Sequence, residues 1–263
     1  MSLLISGDLR LAQTYTRPDD ADAVAYIAAV EAADGQALET ATRMAINSFV
    51  KGCKADGIWT AIKASCILAG ARTLTGALIP LAGTAPTNFN FVDGDYNRKT
   101  GLVGDGSTKY LNSNRNNNAD PQNSKHIAAF ISTLSTVNAS VQIGVSSGTT
   151  TGRSSITWFI VNQRGFRNNN GGSAFTASAV TGLSGCSRNL SGSFLARTGS
   201  VTTSKGANSE VPLSESIGVF GITTNSLHSN ARIAFYSIGE SLDLALLDTR
   251  VTTLINAFAA AIP

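Results

Sequence analysis

Residues 232–263, RIAFYSIGESLDLALLDTRVTTLINAFAAAIP, decide the fold. Ile233-Ala234-Phe235-Tyr236-Ser237-Ile238 reads as a core strand, and Gly239-Glu240 marks a turn. Ser241 stands where a helix N-cap would, with Asp243 in the first turn to meet the positive end of the helix dipole. Leu244, Leu247, Val251, Leu254, Phe258 and Ile262 then recur at steps of three or four, which predicts one apolar stripe along a helix. A last strand followed by an amphipathic helix implies a helix lying back on a sheet.

Upstream, as far as about Gly101, short strand-like runs can supply that sheet. Gly101–Leu111 reads as strand, Gly-Asp-Gly turn and strand. Further runs are His126–Leu134, Val141–Val145, Ser155–Val161, Gly165–Asn170 and Ala174–Val180, then Gly192–Arg197, Ser216–Ile222 and Ala231–Ile238. Gly, Ser and Asn turns separate them, as in a two-sheet sandwich or jelly roll. Asn112–Asn123 reads as a polar low-complexity loop.

The N-terminal part has a different period. Met1–Thr16 reads as a strand or an extended arm. Pro18-Asp19-Asp20 opens a helix with Val24, Ile27 and Val30 on its apolar face, ended by Asp34-Gly35. A second helix is expected over 37–51 with Leu38, Ala41, Ala45, Ile46 and Phe49 inward and Gly52 as its C-cap, and a third over 58–68. Residues 73–100 form a connector. The expected division is an arm, helical module and connector over 1–84 and a jelly-roll domain over 85–263.

Composition narrows the class. Charged residues are only 14% and the net charge is +3, with no Lys/Arg run interleaved with aromatics, so a nucleic-acid partner is not expected. No unbroken apolar run reaches the ~18 residues of a membrane span, and MSLLISGDLRLAQTY lacks the basic and apolar regions of a signal peptide. Cys53, Cys66 and Cys186 are too few for a disulfide framework. Cys53 and Cys66 read as structural thiols, with a Cys53–Cys66 bridge as the alternative.

From Gly101 to Pro263 the order of features resembles the concanavalin A-like, laminin-G-type jelly roll. GDGSTKYL (104–111), SITWFIVNQRGFRNNN (155–170) and the ending AFYSIGESLDLALLDTRVTTLINAF (234–258) carry that resemblance. The wider chain, including 56–74 and 84–126, resembles virion structural proteins of tailed bacteriophages. The resemblance implies a non-enzymatic protein on the exterior of a phage particle, as a head decoration or a tail-appendage component. Its partners would be other virion proteins and copies of itself. A carbohydrate-binding adhesin of a tail fibre, gripping host glycans, is the alternative, and a glycan hydrolase comes third.

Candidate site residues follow from these readings. Asp93-Gly94-Asp95-Tyr96-Asn97 opens like a calcium loop, but Arg98 and Gly104 stand at its sixth and twelfth positions, which excludes an EF-hand. Asp93, Asp95 and Asp105 could still hold calcium as a sandwich-type site, against the simpler reading that Asp-Gly pairs make turns; no other cofactor is expected. Tyr110 and Phe166 are the chosen sugar-stacking residues among Trp158, Phe159 and Tyr236, any of which would serve if exposed. Leu38, Ile46, Phe49 and Trp59 are either the helical module's core or a docking face. Arg153, Arg164, Arg167 and Arg188 read as a thin solvated scatter, or as a grip on an acidic surface. His126 and His228 are given no role. A retaining glycosidase needs two carboxylates about 5 Å apart, and the acids at Glu210, Glu215, Glu240, Asp243 and Asp248 do not fall on strands in that pattern.

Overall fold

A computed structural model describes residues 17–146, 150–160, 163–176, 180–223 and 227–263. The expected arm at 1–16 lies outside them, as do residue 161 at the end of one expected strand and 177–179 within another. Helices α1 (Ala21–Asp34) and α2 (Thr40–Ala55) come first, then β1 (Ile62–Ile67), the one-turn α3 (Leu74–Ala77), β2 (Pro80–Ala82) and β3 (Thr87–Phe89). Next are β4 (Tyr96–Asn97), β5 (Gly101–Val103), β6 (Tyr110–Asn116), β7 (Lys125–Thr133), β8 (Ser140–Val145) and β9 (Ser154–Ile160). The chain ends with β10 (Gln163–Arg167), β11 (Ala174–Thr176), β12 (Gly182–Arg188), β13 (Ser193–Thr198), β14 (Val201–Gly206), β15 (Ser216–Val219), β16 (Arg232–Gly239) and α4 (Leu244–Ala261).

The strands build two antiparallel sheets. Sheet A runs β14-β13-β12-β7-β16-β1-β2, with β5 also bonded to β16 and β4 bonded to β5. Sheet B runs β11-β10-β9-β8-β15-β6-β3. The expected jelly-roll sandwich, mainly β and closed by a C-terminal helix, is what forms.

The layers are visible in the burial of single strands. On β7, Ile127, Ala129 and Ile131 face sheet B, while Ala128 and Phe130 face the helices. Both faces are covered, so the strand reads as an unbroken apolar run. On β16, Ile233, Tyr236 and Ile238 point between the sheets, whereas Ala234 and Phe235 both point to the helices. A bulge between Ile233 and Phe235 against β7 resets the alternation. The helices α1, α2 and α4 therefore form a third layer on the outer face of sheet A, with Phe49 of α2 edge-on to Phe235 at 5.8 Å.

Capping follows the sequence at one end of the chain and departs from it at the other. Asp20 caps α1, accepting from the amides of Asp22 (3.0 Å) and Ala23 (3.3 Å). The cap of α4 is Asp243, two residues past the expected Ser241, and accepts from the amides of Ala245 (2.7 Å) and Leu246 (3.3 Å). Ser241 instead bonds Ser124. All six stripe residues of α4 are buried. This helix is long and apolar enough by length and composition to cross a membrane, yet its stripe lies on sheet A, where Asp248 pairs with Arg197 of β13 at 2.8 Å.

Four expectations are corrected. Val24 is 45% exposed, because α1 presents Ala23, Tyr26, Ile27 and Val30 to the core. Helix α2 runs on through Gly52 to Ala55; a Cβ at Gly52 would lie 2.7 Å from the Arg250 guanidinium, which crosses there to reach Asp56 at 2.7 Å. The third helix does not exist. Ile58–Leu68 makes a short turn and then β1, with Ile62 and Ile67 toward the helices and Ala64 and Cys66 toward sheet B. A short apolar run buried on both faces carries no period that separates strand from helix. Finally, Asn112–Asn116 belongs to β6 and is not loop.

Strand β1 lies before position 84 and pairs with β16, so sheet A draws on both sides of that position. Strands β12 and β14 were not expected. β12, GLSGCSR, is small-residued because Leu244 of α4 passes close over it: a Cβ at Gly185 would sit 2.8 Å from Leu244. All three cysteines are free and buried, and burial pushes the Cys53 and Cys66 thiols up to about 12.

Candidate ligand-binding face

Helices α1, α2 and α4 lie beyond sheet A, and among the described residues no α-helix packs on the outer face of sheet B. Leu111, Ile143, Ile156 and Phe166 of sheet B point inward, so their neighbours point out. Register places Asn112, Gly218, Gly144, Ser155 and Arg167 in one row across five strands of that face. Aromatic groups stand at both ends of it.

At one end, edge strand β3 pairs with β6 so that Phe89 is opposite Tyr110. Their rings stack at 4.4 Å with 5° between planes, and the His228 ring lies tilted 5.5 Å from that of Tyr110. Phe89 remains 36% exposed. The surrounding strand ends are held by asparagines. Asn114, at φ 56°, donates to Ala85 O (2.8 Å) and Thr87 Oγ1 (3.0 Å), and Asn90 Nδ2 donates to Thr108 O (2.9 Å). The Tyr110 hydroxyl has no partner among the described residues. A rigid aromatic group beside amide and hydroxyl side chains suits the mixed apolar and polar surface of a sugar.

At the other end, Phe159 and Phe175 are 42% and 43% exposed with ring centroids 4.9 Å apart. Phe175 is opposite Gly165 in register, and Arg167 lies two residues along on the same face. Arg153, Ser155, Thr157 and Phe159 share that face by alternation. The loop after β10 is locked into the sandwich: Asn169 accepts from Asn117 and Ser154 (both 3.0 Å) and donates to Gln122 O (2.9 Å). It thereby fixes the Gly171 carbonyl, which accepts from both Arg153 Nη2 (2.8 Å) and Arg167 Nε (3.1 Å). Burial, and then the charge of Arg153, bring Arg167 down to about 10. Arg164 and Arg188, read from the sequence as solvated, are fully buried, the latter tied to the carbonyls of Asn168, Leu190, Ser191, Ser193 and Ala207.

The acids of the expected calcium loop already have partners. Asp95 accepts from the Val92 amide and the Lys109 ammonium. Asp105 loses hydration on burial, but the Thr108 hydroxyl and the amides of Thr108, Ser107 and Lys109 hold it well below the usual carboxylate range. Lys109 thus stands between these two carboxylates, and Asp93 is exposed beside them. Among the described residues no three His, Cys, Asp or Glu side chains are grouped as a metal needs. Glu210 is engaged by the Gly152 amide (2.6 Å), Glu240 by Lys63 (3.0 Å), Asp243 by its helix and Asp248 by Arg197. His126 is fully buried between the Glu240 carbonyl (2.6 Å) and Ser237 Oγ (2.7 Å), and burial pulls it down to about 4.

Several named residues do not serve as expected. Phe166 is 0% exposed, its ring in the core between the sheets, and cannot stack on a ligand. Trp158 and Tyr236 are buried too. Leu38, Ile46 and Phe49 are core residues, not a docking face, because sheet A and α4 cover them. Trp59 packs at the margin of that core with Lys54 over its ring at 5.7 Å. Phe89 carries no signal in the sequence, because it sits in a stretch without period.

No family model matches the chain, and no curated protein matches it. Solved structures do resemble its shape. A crystal structure of the botulinum neurotoxin serotype D binding domain gives a TM-score of 0.49 at 14% identity, covering 73% of this chain and 51% of that one. The receptor-binding domain of a botulinum neurotoxin mosaic serotype C/D gives 0.46 at 13%, covering 73% and 50%. The K499G mutant of NanB sialidase from Streptococcus pneumoniae gives 0.42 at 10%, covering 56% and 27%. The chain thus spans about half or less of each of these.

Proposed function

We propose that this chain is a non-catalytic carbohydrate-binding module on the exterior of a phage particle, and that it takes its glycan on the outer face of sheet B. The observation that carries this reading is the Phe89–Tyr110 stack, partly exposed on a sheet face that no helix covers among the described residues. A pair already stacked loses little freedom when a sugar settles on it, so contact area converts to affinity with a small ordering cost. Head decoration has less to rest on, since Leu38, Ile46 and Phe49, three of the four side chains it would use, are inside the core.

The test is a glycan array followed by titration of the best hits with the parent protein, Tyr110→Ala and Phe89→Ala. Tyr110→Ala is expected to weaken binding about tenfold, the scale of one lost aromatic platform. Unchanged affinity in both variants would sink the site, and an empty array would sink the function. Immunogold labelling of particles addresses location: label at tail or fibre tips fits an adhesin, uniform label on heads fits decoration, and no label rejects the virion exterior.

A further inference from the structure

Arg153 and Arg167 lie together in a chain with only 14% charged residues. Their guanidinium groups converge on one acceptor, the Gly171 carbonyl. Neither forms an ion pair with a carboxylate among the described residues, although the twelve pairs seen there engage eleven other basic side chains. Arg153 Nε is buried without a hydrogen-bond partner, and Gly171 is the only acceptor Arg153 has among the described residues. Arg167 has one further bond, to Ser155 Oγ at 3.2 Å. The near carboxylate, Glu210, is engaged by the Gly152 amide. Lys205, which donates to the Phe175 carbonyl, adds a third cation with no carboxylate partner among the described residues to the same end of the sandwich.

Two like charges held together on a half-buried surface repel each other, and an anion between them would relieve both the repulsion and the unmet donors. Guanidinium forks present paired donors that match a planar oxyanion. We infer that Arg153 and Arg167 form an anion subsite that takes the carboxylate of an acidic saccharide. This assignment rests on the carbohydrate-binding reading above and names its ligand class. The sugar ring has a place to lie: Phe175 covers Gly165, and Arg167 is two residues further along the strand, about 7 Å. That separation is close to the span of one pyranose and its exocyclic carboxylate. Ser155 and Thr157 lie buried beneath it, Thr157 donating to Ser155 Oγ, which also accepts from Arg167 Nη1.

The test follows the arginine side-chain Nε–H signals by NMR while sodium glucuronate, glucose, sodium acetate or sodium sulfate is added to the full chain. The two signals are assigned from Arg153→Gln and Arg167→Gln. Glucuronate is expected to shift both saturably, glucose to shift neither, and acetate and sulfate to bind about tenfold or more weakly than glucuronate. Either glutamine variant should lose about tenfold in glucuronate affinity, and Arg167→Lys should lose most of that, since it keeps the charge and not the fork. Thermal melting of each variant establishes that it folds. No shift with glucuronate, equal binding by a folded glutamine variant, or acetate binding as tightly as glucuronate would each overturn the assignment. Neutral glycans that still bind through Tyr110 in such a case would leave the proposed function standing. If Tyr110→Ala changes nothing while glucuronate still shifts the arginine signals, the aromatic site fails and the anion subsite survives.

Discussion

Lowering the pH from 7 to 5 should destabilise this protein through one side chain, His126. Buried between the Glu240 carbonyl and Ser237, it resists a second proton down to about pH 4, whereas the unfolded chain takes that proton near 6.5. The unfolded state therefore binds the proton first, and the stability present above 6.5 is lost as pH falls toward 4. The gap of about 2.5 pH units, at 1.36 kcal/mol each, bounds the full loss at about 3.4 kcal/mol. Between pH 7 and pH 5 the same linkage gives a loss of about 1.8 kcal/mol, or a melting temperature lower by about 4–7 °C for a chain of this size. Carboxylates held low, such as Glu39 beside Arg98 at about 2, lose their contribution mainly below pH 4.5 and barely enter that window. Urea unfolding at pH 7, 6 and 5 measures the slope, with His126→Asn as the variant that cannot titrate. It should be less stable than the parent at pH 7 and nearly flat down to pH 5. A parent as stable at pH 5 as at pH 7, or a variant with the parent's slope, would refute the reasoning.

Phe49→Ala should cost about 3–5 kcal/mol in urea unfolding, because Phe49 is a buried core ring against Phe235; a stable variant that loses only assembly would return it to a docking face. Arg164 is fully buried with no ion pair among the described residues and with Nε unpartnered, so Arg164→Met should leave stability unchanged or raise it by about 1–4 kcal/mol. A drop in melting temperature would show that its bonds to Ser184 and the Val180 carbonyl outweigh its desolvation.

Much of the architecture is legible in the order of the residues. The stripe of α4, the cap of α1 and most strands of both sheets carry a period that only one element satisfies. β1 misleads because its residues are buried on two faces, and β12 because small residues there answer to Leu244 of α4 rather than to strand propensity. The candidate site is less legible. Tyr110 stands out from its strand, but Phe166, with equal credentials, faces inward. Phe89 lies in a connector with no pattern. Arg153 and Arg167 look like scatter because nothing in their spacing says that both reach Gly171.

The sequence alone determined the β-sandwich, its closing helix and the rough order of strands, since those depend on local alternation and on residues near one another in the chain. Only the tertiary structure decided which aromatic rings are core and which are surface, that the helices layer on sheet A, and that two arginines share a carbonyl. Those outcomes depend on which face of a strand another layer covers. A period of two leaves that choice open until the layers are packed.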